Sequence, residues 1–476
     1  MEVRPKTALI IFIIAFLFCA GSLIAKHLSF RTRAYDTGIL GGVARHAAFQ
    51  LSFYNDVENA NYLGQHFSPA LFLGGLLFYI WDNAAILSIY QNICVFLSIM
   101  LAFILAKKIL KSNKWAILLS FIYAANYYLQ NVNEGSYHTE TLALPLFFCL
   151  FILMQNKRSV LRVIMIGLIS ILILSIKEDL PLALGAFGLW TIIFKKEKRT
   201  EGTIIAIIGF AGLYIIAAIL IPHYANGSSM YANRYAEFGA TAKEILNTAL
   251  ARPDKLLTVL FSPPIKLLHI FFLFLSFLLL PFAAPKAALM ALPPIMMHSL
   301  SSYKSQYSFV GQYSIPAIPF LFYSSLYGWQ KLTAFVDKPK YLKGVITINK
   351  VAKASIFIVI ICATIPICRY GINYLKFSPK NYFYFVKNIK PLIPTDCRLL
   401  SPNHIQPQFL NLKYSGILFS RQSMASNPDY IILANDRIPT YWQKDDYLKF
   451  SMEQKNKCQI IYEDDKLAVL KTAAPK

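Results

Sequence analysis

Residues 7–25, TALIIFIIAFLFCAGSLIA, form an unbroken apolar run, and residues 26–66, KHLSFRTRAYDTGILGGVARHAAFQLSFYNDVENANYLGQH, follow it with a polar stretch. The run is long enough to cross a bilayer as one helix. No convincing cleavage site follows it, so it reads as an uncleaved first span. The polar stretch carries Asp36, His46, Asp56, Glu58 and His66. Ionisable groups directly after a first span are where a membrane enzyme can hold a carboxylate facing water.

Working outward, the same apolar character recurs. The chain is 56% hydrophobic and only 15% charged over 476 residues. A soluble protein of this length would carry far more charge. Repeated runs of spanning length between short polar breaks point to a polytopic helical membrane protein, and the strict alternation of a membrane barrel is absent. The net charge of +23 does not point to nucleic acid, since the lysines and arginines sit in short clusters between apolar runs. That is how membrane topology is encoded, and no basic groove or stacking platform is visible. The expected partner is the bilayer, with no nucleic acid.

Residues 67–81, FSPALFLGGLLFYIW, are apolar but short. Counting them as a span would put Lys107, Lys108, Lys111 and Lys114 outside, so the positive-inside rule makes them re-entrant or interfacial. Spans are then expected at 84–106, 115–130, 141–155, 163–176, 180–194, 203–221, 266–284, 287–298, 312–329 and 354–370. Together with the first run they predict an all-α polytopic membrane domain over residues 1–370, with about eleven transmembrane helices and the N-terminus inside. The ionisable loop 26–83 and a long loop at 222–264 fall outside, and the lysine-rich 330–353 falls inside with Arg4 and Lys6. Pro281, Pro285, Pro293 and Pro294 interrupt the pattern near the end.

Residues 371–476 change character. Strand-length runs CRLLSP, YSGILFS, DYIILAND, CQIIYE and KLAVLK alternate with helix-like YFYFVKNIKPLI and WQKDDYLKFSMEQK. This predicts a small α/β domain on the outer face, without a Gly-rich phosphate loop. Of seven cysteines, Cys19, Cys94, Cys149, Cys362 and Cys368 lie in apolar runs as core filler. Cys397 and Cys458 each begin an expected strand, and a disulfide between them is open if those strands are neighbours.

Four places can carry chemistry. Asp36, in RAYDTG, reads either as a base or divalent-metal ligand or as the cap of a helix starting near Thr37. His138 and Glu140, in YHTETLALPL, stand at a span mouth, though i and i+2 positions point apart on a helix. Lys177, Glu178 and Asp179 form three consecutive charges between two apolar runs; they read as a phosphate contact or as an ion pair within a solvated turn. Gln312 and Tyr313 open a span with groups suited to sugar or head-group contacts, or to interfacial anchoring.

YDTGI, GQHFSPAL, YHTETLALP, KEDLPL and the C-terminal α/β tail occur in that order. In this the chain resembles a family of predicted bacterial and archaeal membrane proteins of unknown function, placed with the GT-C superfamily of integral membrane glycosyltransferases. The resemblance implies a GT-C-like membrane domain with an extracytoplasmic α/β domain, in a prokaryotic cytoplasmic membrane. It implies a polyprenyl-phosphate-linked sugar as donor, an acceptor it does not name, and Asp36 as the catalytic carboxylate. His66, His138, Glu140, Lys177, Glu178 and Asp179 match its other motifs. Two departures stand out. Gly41-Gly42 occupies the place of a second acidic residue, which weakens a divalent-metal site. Gln312 stands where the family has His before Tyr313. Glycosyl transfer, membrane transport or lipid flipping, and a non-catalytic role in envelope assembly all remain open at this point.

Overall fold

The computed structural model describes residues 5–225, 232–336 and 348–472. Arg4, the 226–231 part of the expected outer loop and the 337–347 part of the lysine-rich segment lie outside the described residues. The chain divides into two compact units. The first comprises Met1–Phe16, Leu63–Ala70 and Gln91–Arg369, and the second Leu17–Tyr62, Leu71–Tyr90 and Tyr370–Lys476.

Among the described residues four helices are long and apolar enough to cross a membrane: Leu9–Leu28, Ala85–Leu110, Lys196–Tyr224 and Ala352–Leu375. Pro253–Phe261 and Ile265–Leu275, bent by 76°, make a fifth if counted as one span. Thr139–Gln155, Val160–Leu174 and Leu180–Phe194 are apolar but shorter. Length and composition therefore support fewer spans than the eleven expected, and the reasons are local. The run 115–130 is two helices, Asn113–Ala124 and Tyr127–Glu134. Between them the Asn126 side chain accepts the N–H groups of Tyr128 and Leu129 and starts a new helix. The run 266–284 ends early, at Leu278 and Leu279, both with φ 56°. Pro281, Pro285 and Pro293 each stand in the first turn of a short helix (Leu280–Ala283, Pro285–Ala288, Leu292–Ser299), where a missing N–H is tolerated. The expected loop 222–264 holds two helices, Ala242–Ala251 and Pro253–Phe261.

Within the first unit, helices Leu180–Phe194 and Arg199–Ile215 meet backbone to backbone. A Cβ on Gly188 would stand 2.3 Å from the Ala206 nitrogen, and one on Gly209 would stand 2.3 Å from the Gly185 nitrogen. Small residues at such crossings are how helices associate where lipid removes the hydrophobic drive. A buried Arg162–Glu201 ion pair ties the second helix to Val160–Leu174.

The second unit corrects the reading of residues 26–66 as a loop. Ile39–Gln50 is a helix, followed by a hairpin of β1 (Tyr54–Asn55) and β2 (Ala60–Asn61). A helix starting near Thr37 is one of the two readings of this segment, and it forms two residues later, without Asp36 as its cap. Gly41 faces Leu410, whose Cδ1 lies 2.5 Å from where a Cβ would be, whereas Gly42 faces open space. Residues 67–81 contain only the short helix Leu71–Leu76 and a 3-10 turn, too short to span.

All five expected strands of the C-terminal region form: β3 (Arg398–Ser401), β4 (Tyr414–Ile417), β5 (Tyr430–Ala434), β6 (Gln459–Glu463) and β7 (Leu467–Lys471). Their order is β4-β3-β5-β7-β6, with β3 parallel to β4 and β5, and β7 antiparallel to β5 and β6. The two-residue period sorts the core. Leu399, Ile432 and Val469 pack with Phe385 and Ile389, while Leu400, Ile431, Leu433 and Leu470 pack on the other face with Phe450. Cys397 belongs to the first face and Cys458 to the second, and β5 and β7 separate their strands. Both thiols are free, so the disulfide expectation fails on strand order and face together.

Candidate functional site

Lys177, Glu178 and Asp179 fill the tight connection between helices Val160–Leu174 and Leu180–Phe194. They do not pair within the turn. Each reaches a different segment of the first unit. Lys177 forms a buried ion pair with Glu140, which sits in the 3-10 turn Thr139–Leu142. Its ammonium also lies 5.1 Å from the centroid of the Tyr313 ring. His66 Nδ1 meets Glu178 Oε1 at 2.8 Å, and the Phe67 N–H donates to Glu178 Oε2 at 3.1 Å. Asp179 Oδ2 stands 3.3 Å from His298 Nε2, both side chains being buried.

The electrostatics follow from burial. Desolvation works against the Lys177 ammonium, but Glu140 and Asp179 outweigh it and hold its pKa well above the usual lysine range. Desolvation likewise favours neutral Glu178, yet His66 and Lys177 bring its pKa below the usual carboxylate value. Neither Asp179 oxygen, nor either ring nitrogen of His298, has a hydrogen-bond partner among the described residues. Orphaned buried polar atoms of this kind are where a water or a polar ligand group would be satisfied.

The expected site residues thus divide. His66, Glu140, Lys177, Glu178, Asp179 and Tyr313 come together in the first unit. His138 precedes the Glu140 turn and is half-buried, its backbone N–H held by Gln91 Oε1 at 2.8 Å. Gln312 opens the 3-10 turn Gln312–Ala317 and is half-buried. Three members escaped the sequence reading. His298 lies 5.3 Å from the Tyr313 ring, centroid to centroid, so an imidazole flanks this tyrosine although Gln312 precedes it in sequence. Arg234 Nη1 meets the Tyr313 hydroxyl at 3.5 Å, and the Tyr235 hydroxyl donates to the Met297 carbonyl at 3.1 Å. Only their place in an expected outer loop hinted at Arg234 and Tyr235.

Asp36 belongs to the second unit. Its segment is pinned to the loop after β3: the Ala34 N–H donates to both the carbonyl and the Oδ1 of Asn403 at 2.8 Å. Asp36 has φ 74° and ψ −82°, the geometry of a strained three-residue reversal. Non-glycine residues held in such regions cost about 1–3 kcal/mol. Its carboxylate does not cap a helix. The following helix starts at Ile39 with Gly38 as its cap, and Asp36 is exposed. β3 has β4 on one side and β5 on the other, so the sheet reverses direction beside the carboxyl end of β3, the usual place for a ligand in such sheets. Thr37 Oγ1, Ser401 Oγ and Gln406 Oε1 are buried there without hydrogen-bond partners among the described residues. Burial, reinforced by the charges of Arg437 and Arg33 and opposed by Asp436, pulls His404 down to about 4. Asp56 and Glu58 are structural by contrast. Asp56 accepts from the Ser415 N–H at 3.0 Å, and Glu58 accepts from Asn55 Nδ2 at 3.1 Å. Among the described residues no group of three or more His, Cys, Asp or Glu could hold a metal ion.

A family model described as a predicted membrane protein (DUF2079) matches residues 26–468. The chain belongs to that family. Every residue placed above lies inside the matched DUF2079 stretch. Among solved structures, the crystal structure of ArnT from Cupriavidus metallidurans in the apo state is similar over 98% of this chain and 98% of that one, at 12% identity and a TM-score of 0.47. No curated protein matches the DUF2079 chain.

Proposed function

We propose that this protein is an integral membrane glycosyltransferase that moves a sugar from a polyprenyl-phosphate-linked donor to an acceptor hydroxyl. The observation that carries the reading is Asp36: an exposed carboxylate on strained backbone, in the polar segment after the first span. Strain held against the folding free energy is a mark of functional positions.

In this mechanism the Asp36 carboxylate accepts the proton of the acceptor hydroxyl as that oxygen attacks the anomeric carbon. The bond from that carbon to the lipid phosphate breaks, and the phosphate leaves with the electron pair. Arg33, exposed and three residues before Asp36, is the proposed partner for the charge that builds on the phosphate. Lys177 suits that role less well, because a phosphate would first have to displace Glu140 from a buried ion pair. No step is routed through a metal.

The test is transfer of a radiolabelled sugar from a polyprenyl-phosphate donor in reconstituted vesicles. Asp36→Asn should lose transfer by about a hundredfold or more while remaining folded. Transfer at the parental rate by Asp36→Asn would overturn the assignment. The helices broken at residues 280–299 favour transport as the second reading, since broken helices line many transporter sites. Lipid flipping by Asp36→Asn vesicles that lack transfer would favour it over the first.

A further inference from the structure

The second unit contains a cavity of about 620 Å3 on the sheet face away from Cys397. Its floor is the paired ends of β3 and β4, where Arg398 stands directly opposite Tyr414 in the parallel register. Its walls are the 3-10 turn Arg421–Ser426 and the tip of the β1–β2 hairpin. We propose that this cavity binds a short saccharide bearing an acidic group.

The size suits one or two sugar rings, within the ordinary range of small-ligand pockets. The lining has the mixture a sugar needs. Phe419, more than one-third exposed, offers an apolar face for ring C–H groups. Asn59 and Gln422, both exposed, can donate and accept, while the buried Ser423 hydroxyl accepts the N–H groups of Phe419 and Ser420 and holds the wall in shape. A purely apolar ligand would leave the polar groups unused.

The acidic group is argued from Arg398. Its guanidinium lies 4.2 Å from the Tyr414 ring centroid, and its Nε donates to the Ser426 carbonyl at 2.8 Å. Those two contacts fix the plane and spend one donor. Among the described residues no carboxylate reaches ion-pair distance of its side chain, so the two terminal nitrogens keep a planar fork suited to a carboxylate or phosphate. Gly416 keeps the floor flat beneath: a Cβ there would stand 2.7 Å from the Tyr414 hydroxyl and 3.0 Å from Leu400.

Nothing in this site depends on glycosyl transfer, and the Asp36→Asn result leaves it untouched. The experiment is calorimetric titration of the full-length protein in detergent with three probes: a glucuronate-containing disaccharide, its neutral glucose counterpart, and inorganic phosphate. The acidic disaccharide is expected to bind saturably and at least about tenfold more tightly than either of the others. Arg398→Gln should abolish that preference. Phe419→Ala, at a ring more than one-third exposed, should weaken both disaccharides about equally while the variant elutes as the parent does. The proposal is overturned by absence of saturable binding of the acidic disaccharide, by phosphate binding as tightly as the sugar, or by Phe419→Ala binding unchanged.

Discussion

At the scale of single residues, the first unit is governed by one turn whose three charges each find a separate partner. Removing one member of a buried ion pair strands the other, at about 3–5 kcal/mol, whereas replacing both with apolar groups is often nearly neutral. Lys177→Met and Glu140→Leu should therefore each lower the thermal midpoint in detergent strongly, and the double variant should recover most of the loss. Additive losses in the double variant would show that Lys177 and Glu140 do not stabilise each other. In the second unit His404 sets a pH dependence. Its folded pKa of about 4 lies below the unfolded value near 6.5. The unfolded chain binds the extra proton between those values, so this residue makes stability rise with pH across that window and adds nothing to the slope above it. His404→Gln should flatten the acid limb of a melting-temperature profile between pH 4 and 6.5, and an unchanged limb would assign it elsewhere. The sequence made the three charges conspicuous because a tight connection seldom carries so many. It did not disclose their partners. His298 lies far along the chain from Asp179, and no local pattern ties MMHSL to KEDLPL.

At the scale of elements, legibility followed from what fixes each one. The five C-terminal strands were readable because their apolar runs shorten to strand length between polar breaks. The helix Ile39–Gln50 was readable only in part: a helix starting near Thr37 is one of two readings of the sequence, and its length was not legible. Two glycines each cost about 1 kcal/mol of helix propensity, and packing against Leu410 and the short helix Leu71–Leu76 overrides that cost. The continuity of several expected spans was not legible, since an apolar run shows that a segment is buried or in lipid without showing where Asn126 or a proline restarts the helix. Glycine has a different meaning in the hairpin of Leu180–Phe194 and Arg199–Ile215. There the backbones touch, and a side chain has nowhere to go. Gly188→Leu or Gly209→Leu should destabilise the protein by about 3 kcal/mol, read as lost monodisperse protein after extraction. Gly42→Ala, facing open space, is the control and should extract like the parent.

At the scale of the whole molecule, the second unit joins parts far apart in sequence. Ala34 bonds to Asn403, Asp56 to Ser415 and the Tyr414 hydroxyl to Asn59. Residues joined by these bonds lie side by side, so the polar segment after the first span and the C-terminal sheet are expected on one side of the membrane. Single cysteines at exposed Asn59 and Lys413, in a background without native cysteines, should be labelled together by an impermeant maleimide applied from that side. Labelling of the two from opposite sides would refute the shared unit.

The three-way turn also has a consequence in time. A ribosome makes His66 and Glu140 before residues 177–179, so Lys177 and Glu178 meet ready counter-charges as they emerge. Asp179 has Lys177 beside it at once, but its contact with His298 waits until residue 298 has been synthesised, a delay on the order of ten seconds at ordinary rates. Through that interval one contact of a carboxylate buried in the finished fold is missing. A chain arrested before His298 therefore lacks the contact that joins this turn to the helix Leu292–Ser299.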